Sequence, residues 1–193
     1  SRRRHTRYWR DWSSDVCSSD LLGALPLLAL RPSPAAAMGG TLPALDQLAP
    51  DFDLESAGQS GALGQRLQRD DFRGSWLVLY FYPRDFTSGC TLEARGFQRD
   101  LSLYKAADAA VVGVSADGSD KHASFCTSEG LDFPLLSDPG GAVSKLYGSW
   151  IPPFSQRHTF VIDPDGILRA RFVGVNPSVH SQEVLSTLQE LQV

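Results

Sequence analysis

Residues 76–95, WLVLYFYPRDFTSGCTLEAR, decide the fold. The run 76–82 is dense in β-branched and aromatic side chains and is bounded by Gly74 and Pro83, which predicts a buried strand. A short polar loop follows. From Thr91 onward Phe97, Leu101 and Tyr104 recur at helical spacing, which predicts a helix over 91–107. Cys90 therefore stands where a strand hands over to a helix N-terminus. Free N–H groups and the positive end of the helix dipole favour a thiolate there. An inert core cysteine is the bland alternative, but the Pro, Thr, Ser and Gly crowding this loop are not core-filling residues.

Within the stretch, Pro83-x-x-x-Thr87-x-x-Cys90 resembles the active-site signature of the peroxiredoxins, and YFYPRDFTSGCTLEA is similar to their Q-type branch, the bacterioferritin comigratory proteins. The similarity continues through FPLLSD at 133–138 and RHTFVIDPDG at 157–166, and covers essentially everything after about residue 44. The resemblance implies an α/β, thioredoxin-like fold: a central mixed sheet with helices on both faces and a short N-terminal strand extension. It also implies a thiol-dependent peroxidase that reduces hydrogen peroxide and organic hydroperoxides through a cysteine sulfenic acid. Electrons would come from thioredoxin or a similar dithiol protein, with no cofactor. Two other classes stay open on residues alone: a thiol–disulfide carrier acting on proteins, and a non-enzymatic thioredoxin-fold binding module. The absence of a C-x-x-C at Cys90 counts against the carrier.

The 193 residues suit one domain with a sizeable core. Net charge is −4, unevenly spread: residues 1–37 hold six Arg and three acids, leaving 12 basic against 19 acidic residues in the remainder. An acidic body argues against nucleic acid as partner. The segment 1–21 contains DWSSDVCSSDL, which resembles the translation of a sequencing-library adapter and is read as non-biological, removing Cys17 from the count. Residues 22–37 read as the remnant of a signal peptide. The apolar run 21–30 is too short to span a bilayer, and Ala35–Ala37 offers small residues for cleavage. The domain proper is expected over 38–193. It is expected to be exported to the periplasm or another extracytoplasmic compartment if the signal is real and cytoplasmic otherwise, monomeric, and free of the membrane in its mature form.

Along that domain, 51–54 alternates as a short strand, 56–66 is a Gly/Ser/Gln-rich loop, and 110–115 is a second buried strand. Ser119-Asp120 opens a helix that Gly130 stops. A strand over 133–136, a short helix over 141–147 and a Pro-broken apolar loop over 150–154 follow. Strands 158–162 and 167–173 flank the turn Asp163-Pro-Asp-Gly166. Asn176-Pro177 introduces a last helix with the stripe Val184, Leu185, Leu188 and Leu191.

Peroxide reduction needs an ionised thiol, donors that orient the O–O bond, and a cation facing the leaving group. Cys90 supplies the sulfur. By resemblance, Thr87 offers its hydroxyl to thiolate or peroxide, and Arg157 is the cation that holds the thiolate and meets the developing charge. Pro83 lacks an N–H and stiffens the loop around the sulfur. Glu93 could hold the arginine, or be a helix-start acid favoured by the dipole. Arg84 reads as a solvated loop charge. Many Q-type relatives carry a second cysteine five residues after the first; here that position is Arg95. Cys126 is the other cysteine of the domain and matches the helix from which some members resolve the sulfenic acid. The alternative is a buried, inert Cys126 in a one-Cys enzyme. His122, one turn earlier, reads as a lone exposed histidine. There is no Cys/His cluster with metal spacing and no Gly-rich phosphate loop.

Overall fold

A computed structural model describes residues 36–58 and 64–193. The adapter-like segment 1–21 and nearly all of 22–37 lie outside the described residues. The elements in chain order are β1 (Ala36–Ala37), β2 (Gly40–Thr41), β3 (Asp53–Ala57), β4 (Arg66–Gln68), a 3-10 turn (Arg69–Phe72), β5 (Trp76–Phe81), α1 (Ser88–Ala106), β6 (Ala109–Ser115), α2 (Ser119–Glu129), β7 (Leu135–Ser137), α3 (Ala142–Leu146), β8 (Trp150–Ile151), β9 (Phe154–Ser155), β10 (His158–Ile162), β11 (Leu168–Val173) and α4 (His180–Leu191).

Seven strands form one mixed sheet in the order β11-β10-β5-β6-β7-β3-β4. β5, β6 and β7 run parallel, and β10 and β3 close the two sides antiparallel. Because side chains alternate along a strand, β5 divides its residues between two cores. Val78 and Tyr80, with Tyr82 just beyond the strand, pack with residues of α1, α2 and α4. Leu77, Leu79 and Phe81 pack on the opposite face with Phe52, Val143 and Tyr147. Each of these buried apolar side chains contributes about 1.5–3 kcal/mol. The central strand reads as a continuous apolar run because both its faces are covered.

Gly113, inside β6, makes room for this arrangement. A Cβ there would lie 2.8 Å from the Tyr80 ring and 2.6 Å from Leu135. Gly130 stops α2 as expected, taking the left-handed conformation at φ 63° with its N–H on the carbonyl of Cys126.

Several boundaries differ from the sequence reading. The 133–136 strand is displaced to Leu135–Ser137, because Pro134 has no N–H to pair and Phe133 turns into the helical core. The early strand continues through Ser56 and Ala57, into the stretch read as loop. The apolar 150–154 loop is a small hairpin of β8 and β9 turning through Pro152-Pro153. Val184, Leu185 and Leu188 are buried as the helical stripe requires, but Leu191 is exposed at the end of α4. No helix among the described residues is long and apolar enough to cross a membrane.

Candidate active site

The site forms at the C-terminal end of β5. Tyr82 still donates its N–H to Val114, so the chain leaves the sheet only at Pro83, which is half-buried. Helix α1 begins three residues earlier than its apolar period indicates. Thr87 is its N-cap residue and Cys90 its third residue, so the sulfur lies in the turn whose backbone N–H groups have no helical partner. Cys90 is only 2% exposed.

Arg157, immediately before β10, reaches this turn from the strand next to β5. Its Nη2 lies 3.5 Å from Cys90 Sγ, and its Nη1 bonds Glu93 Oε2. Glu93 sits one turn along α1 and is fully buried at its side chain. This is the contact that the reading of Glu93 as holder of the arginine requires. Burial pushes the Glu93 carboxyl up to about 7, outweighing the arginine that would lower it. Burial also opposes the charge on Arg157, but Glu93 and Cys90, both against the guanidinium, more than offset this and raise its pKa. Glu93 Oε1 is buried and has no partner among the described residues.

Gly89, missed in the sequence, leaves room for this contact. A Cβ there would lie 3.1 Å from Arg157 Nη2, with Pro177 on the other side at 3.9 Å. Its only sequence signal is a glycine directly before the cysteine in a helical first turn, where glycine is otherwise unfavourable.

Thr87 is not joined to the sulfur in this state. Its hydroxyl donates to the Arg84 carbonyl at 3.0 Å, bracing the loop. Arg84 is exposed, as read.

His122 requires a correction: it is not exposed but completely buried. Its Nδ1 lies 2.8 Å from Asp85 Oδ2 and its Nε2 3.2 Å from the Leu136 carbonyl. Tyr82 Oη donates to the other Asp85 oxygen at 2.7 Å, and the Asp85 N–H donates to Asp117. Asp85, also missed, thus ties the Pro83–Thr87 loop to α2. The sequence shows an acid in a polar loop and a histidine on a helix; only their approach reveals the pair.

Cys126 is a free thiol, 1% exposed, and unbonded to Cys90. Its Sγ points toward the Ala57 carbonyl of β3 at 3.9 Å. Burial, with Asp85 adding, pushes the thiol up to about 12. The two free thiols sit on different helices, Cys90 on α1 and Cys126 on α2. The structure brings Cys90, Arg157, Glu93 and Gly89 together and leaves Cys126 on α2, unbonded to Cys90. Among the described residues no group of three or more His, Cys, Asp or Glu could hold a metal ion.

Comparison with known proteins gives this arrangement a family. Residues 45–171 match the AhpC/TSA family. The chain is 33% identical over 155 residues to peroxiredoxin Bcp of Bacillus subtilis, covering 76% of this chain and 96% of that protein. It is 37% identical over 133 residues to the chloroplastic peroxiredoxin Q of Sedum lineare, covering 67% and 72%. Among solved structures, the bacterioferritin comigratory protein of Xanthomonas campestris, studied for its alkyl peroxide reduction activity, superposes with a TM-score of 0.68 at 29% identity, over 74% of this chain and 92% of its own. On the family match and these relatives, the chain belongs to the AhpC/TSA family as a Q-type peroxiredoxin, a thiol-dependent peroxidase.

Proposed function

We propose that Cys90 is the peroxide-attacking thiolate and Cys126 the thiol that resolves it, with electrons returned by a thioredoxin-like dithiol protein. The observation that carries the first half is the Arg157 guanidinium, which touches Cys90 Sγ with one nitrogen and Glu93 with another. In the attack, a sulfur lone pair forms an S–O bond as the O–O bond breaks. Sulfur is oxidised to sulfenic acid, and the departing oxygen leaves with the electron pair and takes a proton. Arg157 is placed to stabilise negative charge first on sulfur and then on that oxygen. Glu93 holds the guanidinium in place. Pro83 and Thr87 shape the rim, the Thr87 hydroxyl being able to turn from Arg84 to a bound peroxide.

In the second step Cys126 sulfur attacks Cys90 sulfur. An S–S bond forms, the S–O bond breaks, and water leaves with the Cys126 proton. Two facts support local unwinding of α2 for this step: the two free thiols sit on separate helices, and the buried Cys126 thiol, pushed up to about 12, ionises readily only once it reaches water. A dithiol donor then reduces the disulfide. Hydrogen peroxide and small organic hydroperoxides are the proposed substrates, the latter supported by the alkyl peroxide activity named for the Xanthomonas campestris protein. The enzyme is proposed to act as a monomer, and export rests on the apolar run 21–30 and Ala35–Ala37 alone. N-terminal sequencing of the protein from an extracytoplasmic fraction tests that last point.

The deciding experiment is stopped-flow mixing of the reduced protein with hydrogen peroxide. Cys90 is expected to oxidise orders of magnitude faster than a free thiol, and Cys90→Ser to abolish the reaction. An ordinary thiol rate would sink the assignment.

A further inference from the structure

Helix α2 carries three side chains that meet a single partner segment, the one bearing Cys90. His122 bonds Asp85. Phe125 meets Phe86 edge to face, with ring centroids 5.1 Å apart. Glu129 accepts from Arg95 at 2.6 Å. Positions 122, 125 and 129 fall on one helical face, and Cys126 lies between the last two.

These three pins are not equal. The one at Asp85 and His122 is wholly buried and is backed by Tyr82 and Leu136. Phe86 is 51% exposed and adopts φ 60°, a left-handed conformation unfavourable for a bulky residue. Arg95 is 65% exposed at its side chain, so its ion pair is screened and weak. The strong pin thus precedes Cys126, and the two weak ones flank it.

We propose that Phe86 and Arg95 are positioning residues for disulfide formation: they hold the Cys126 end of α2 shut, and their withdrawal releases that end while His122 stays fixed. This rests on the reading of Cys126 as the resolving thiol. Phe86 lies in the Pro83–Thr87 loop and Arg95 one turn beyond Cys90, so a rearrangement of the first turn of α1 after oxidation pulls on both pins. The thiol that must leave the core is thereby held by the segment whose oxidation calls for it.

The test uses the full chain with Phe86→Gly, Arg95→Ala and the double variant. Glycine suits the left-handed backbone at 86, and both side chains are largely exposed, so folding is preserved. Sulfenic acid formation and disulfide formation are timed separately by stopped-flow fluorescence with hydrogen peroxide, and hydrogen exchange is mapped on the reduced proteins. In the double variant disulfide formation is expected to rise at least tenfold, with each single variant between, while peroxide attack changes by less than threefold. Exchange should quicken over 123–129 and hold steady over 119–122. A wild type that forms the 90–126 disulfide, with a double variant that forms it no faster or exchanges no faster over 123–129, overturns the pins alone. A wild type that forms no 90–126 disulfide overturns the Cys126 reading, and the proposal with it.

Discussion

The first turn of α1 and the last turn of α2 each bury a free cysteine almost completely, yet they surround the sulfur with opposite chemistry. Cys90 is covered by a cation: the Arg157 guanidinium lies against its sulfur and is itself held by Glu93. Cys126 is covered by hydrocarbon and a distant carbonyl, and its thiol is pushed up to about 12. Burial alone thus says nothing about reactivity. A buried charge is tolerable where an opposite charge and free backbone donors replace water, and costly where only aromatic rings do. In the proposed cycle the first sulfur acts where it stands and the second has to be moved before it can act.

The largest expected effect comes from removing the second sulfur. Cys126→Ser should react normally with the first equivalent of peroxide, then stall as sulfenic acid, lose turnover with a thioredoxin donor and over-oxidise more readily. Peptide mapping of the oxidised wild type should find one intramolecular 90–126 cross-link and no disulfide dimer. Normal turnover of the serine variant with the same donor would make Cys126 a core residue and the protein a one-Cys enzyme.

Arg157→Ala erases the feature that distinguishes the two sites. It should slow peroxide attack by about 10²–10³-fold, the loss expected when one stabilising donor is removed from a transition state. Rate constants measured across pH separate the two duties of the arginine. A deficit that persists at high pH, where the sulfur is ionised regardless, marks leaving-group stabilisation; complete recovery there would leave only the holding of the thiolate.

His122→Ala strikes the anchor shared by both regions. It leaves the Asp85 carboxylate buried with Tyr82 as its remaining side-chain partner, and should destabilise the fold by about 3 kcal/mol, read as a lower urea midpoint. An unchanged midpoint would show the pair to be decoration.

The smallest effect is a change in the slope of stability with pH. Glu93 is raised from 4.5 to about 7, so its contribution is complete below 4.5 and fades as pH climbs to 7. His180 is lowered from 6.5 to about 4, chiefly by burial with the Arg157 charge adding, so its contribution is complete above 6.5 and fades as pH falls to 4. Between about 4.5 and 6.5 the two slopes oppose each other. Glu93→Gln removes one of them. Urea midpoints of this variant should therefore fall more steeply on acidification from 6.5 to 4.5 than those of the wild type. Parallel curves would mean that Glu93 ionises in the fold as it does in water.

The sequence by itself determined the strand–loop–helix around Cys90, the end of α2 at Gly130, the turn at Asp163-Pro-Asp-Gly166 and an α/β sheet covered on both faces. These are local matters: apolar period, a proline that cannot pair and a glycine free to take positive φ act within a few residues. The thioredoxin-like class and the choice of Pro83, Thr87 and Arg157 came from the resemblance of whole blocks of sequence to a family. What only the tertiary structure decided depends on partners far apart in the chain. Glu93 could be told from a dipole-favoured acid only once Arg157, 64 residues on, was seen against it. Asp85 and His122 are 37 residues apart and unremarkable separately; folding removes both from water and leaves each as the other's main polar partner. The room left by glycine at 89 is taken by a guanidinium that arrives from the neighbouring strand. The grip of Arg95 on Glu129 belongs to the same class. Periodicity tells which face of an element is buried; it carries no record of what the opposing element brings to meet it.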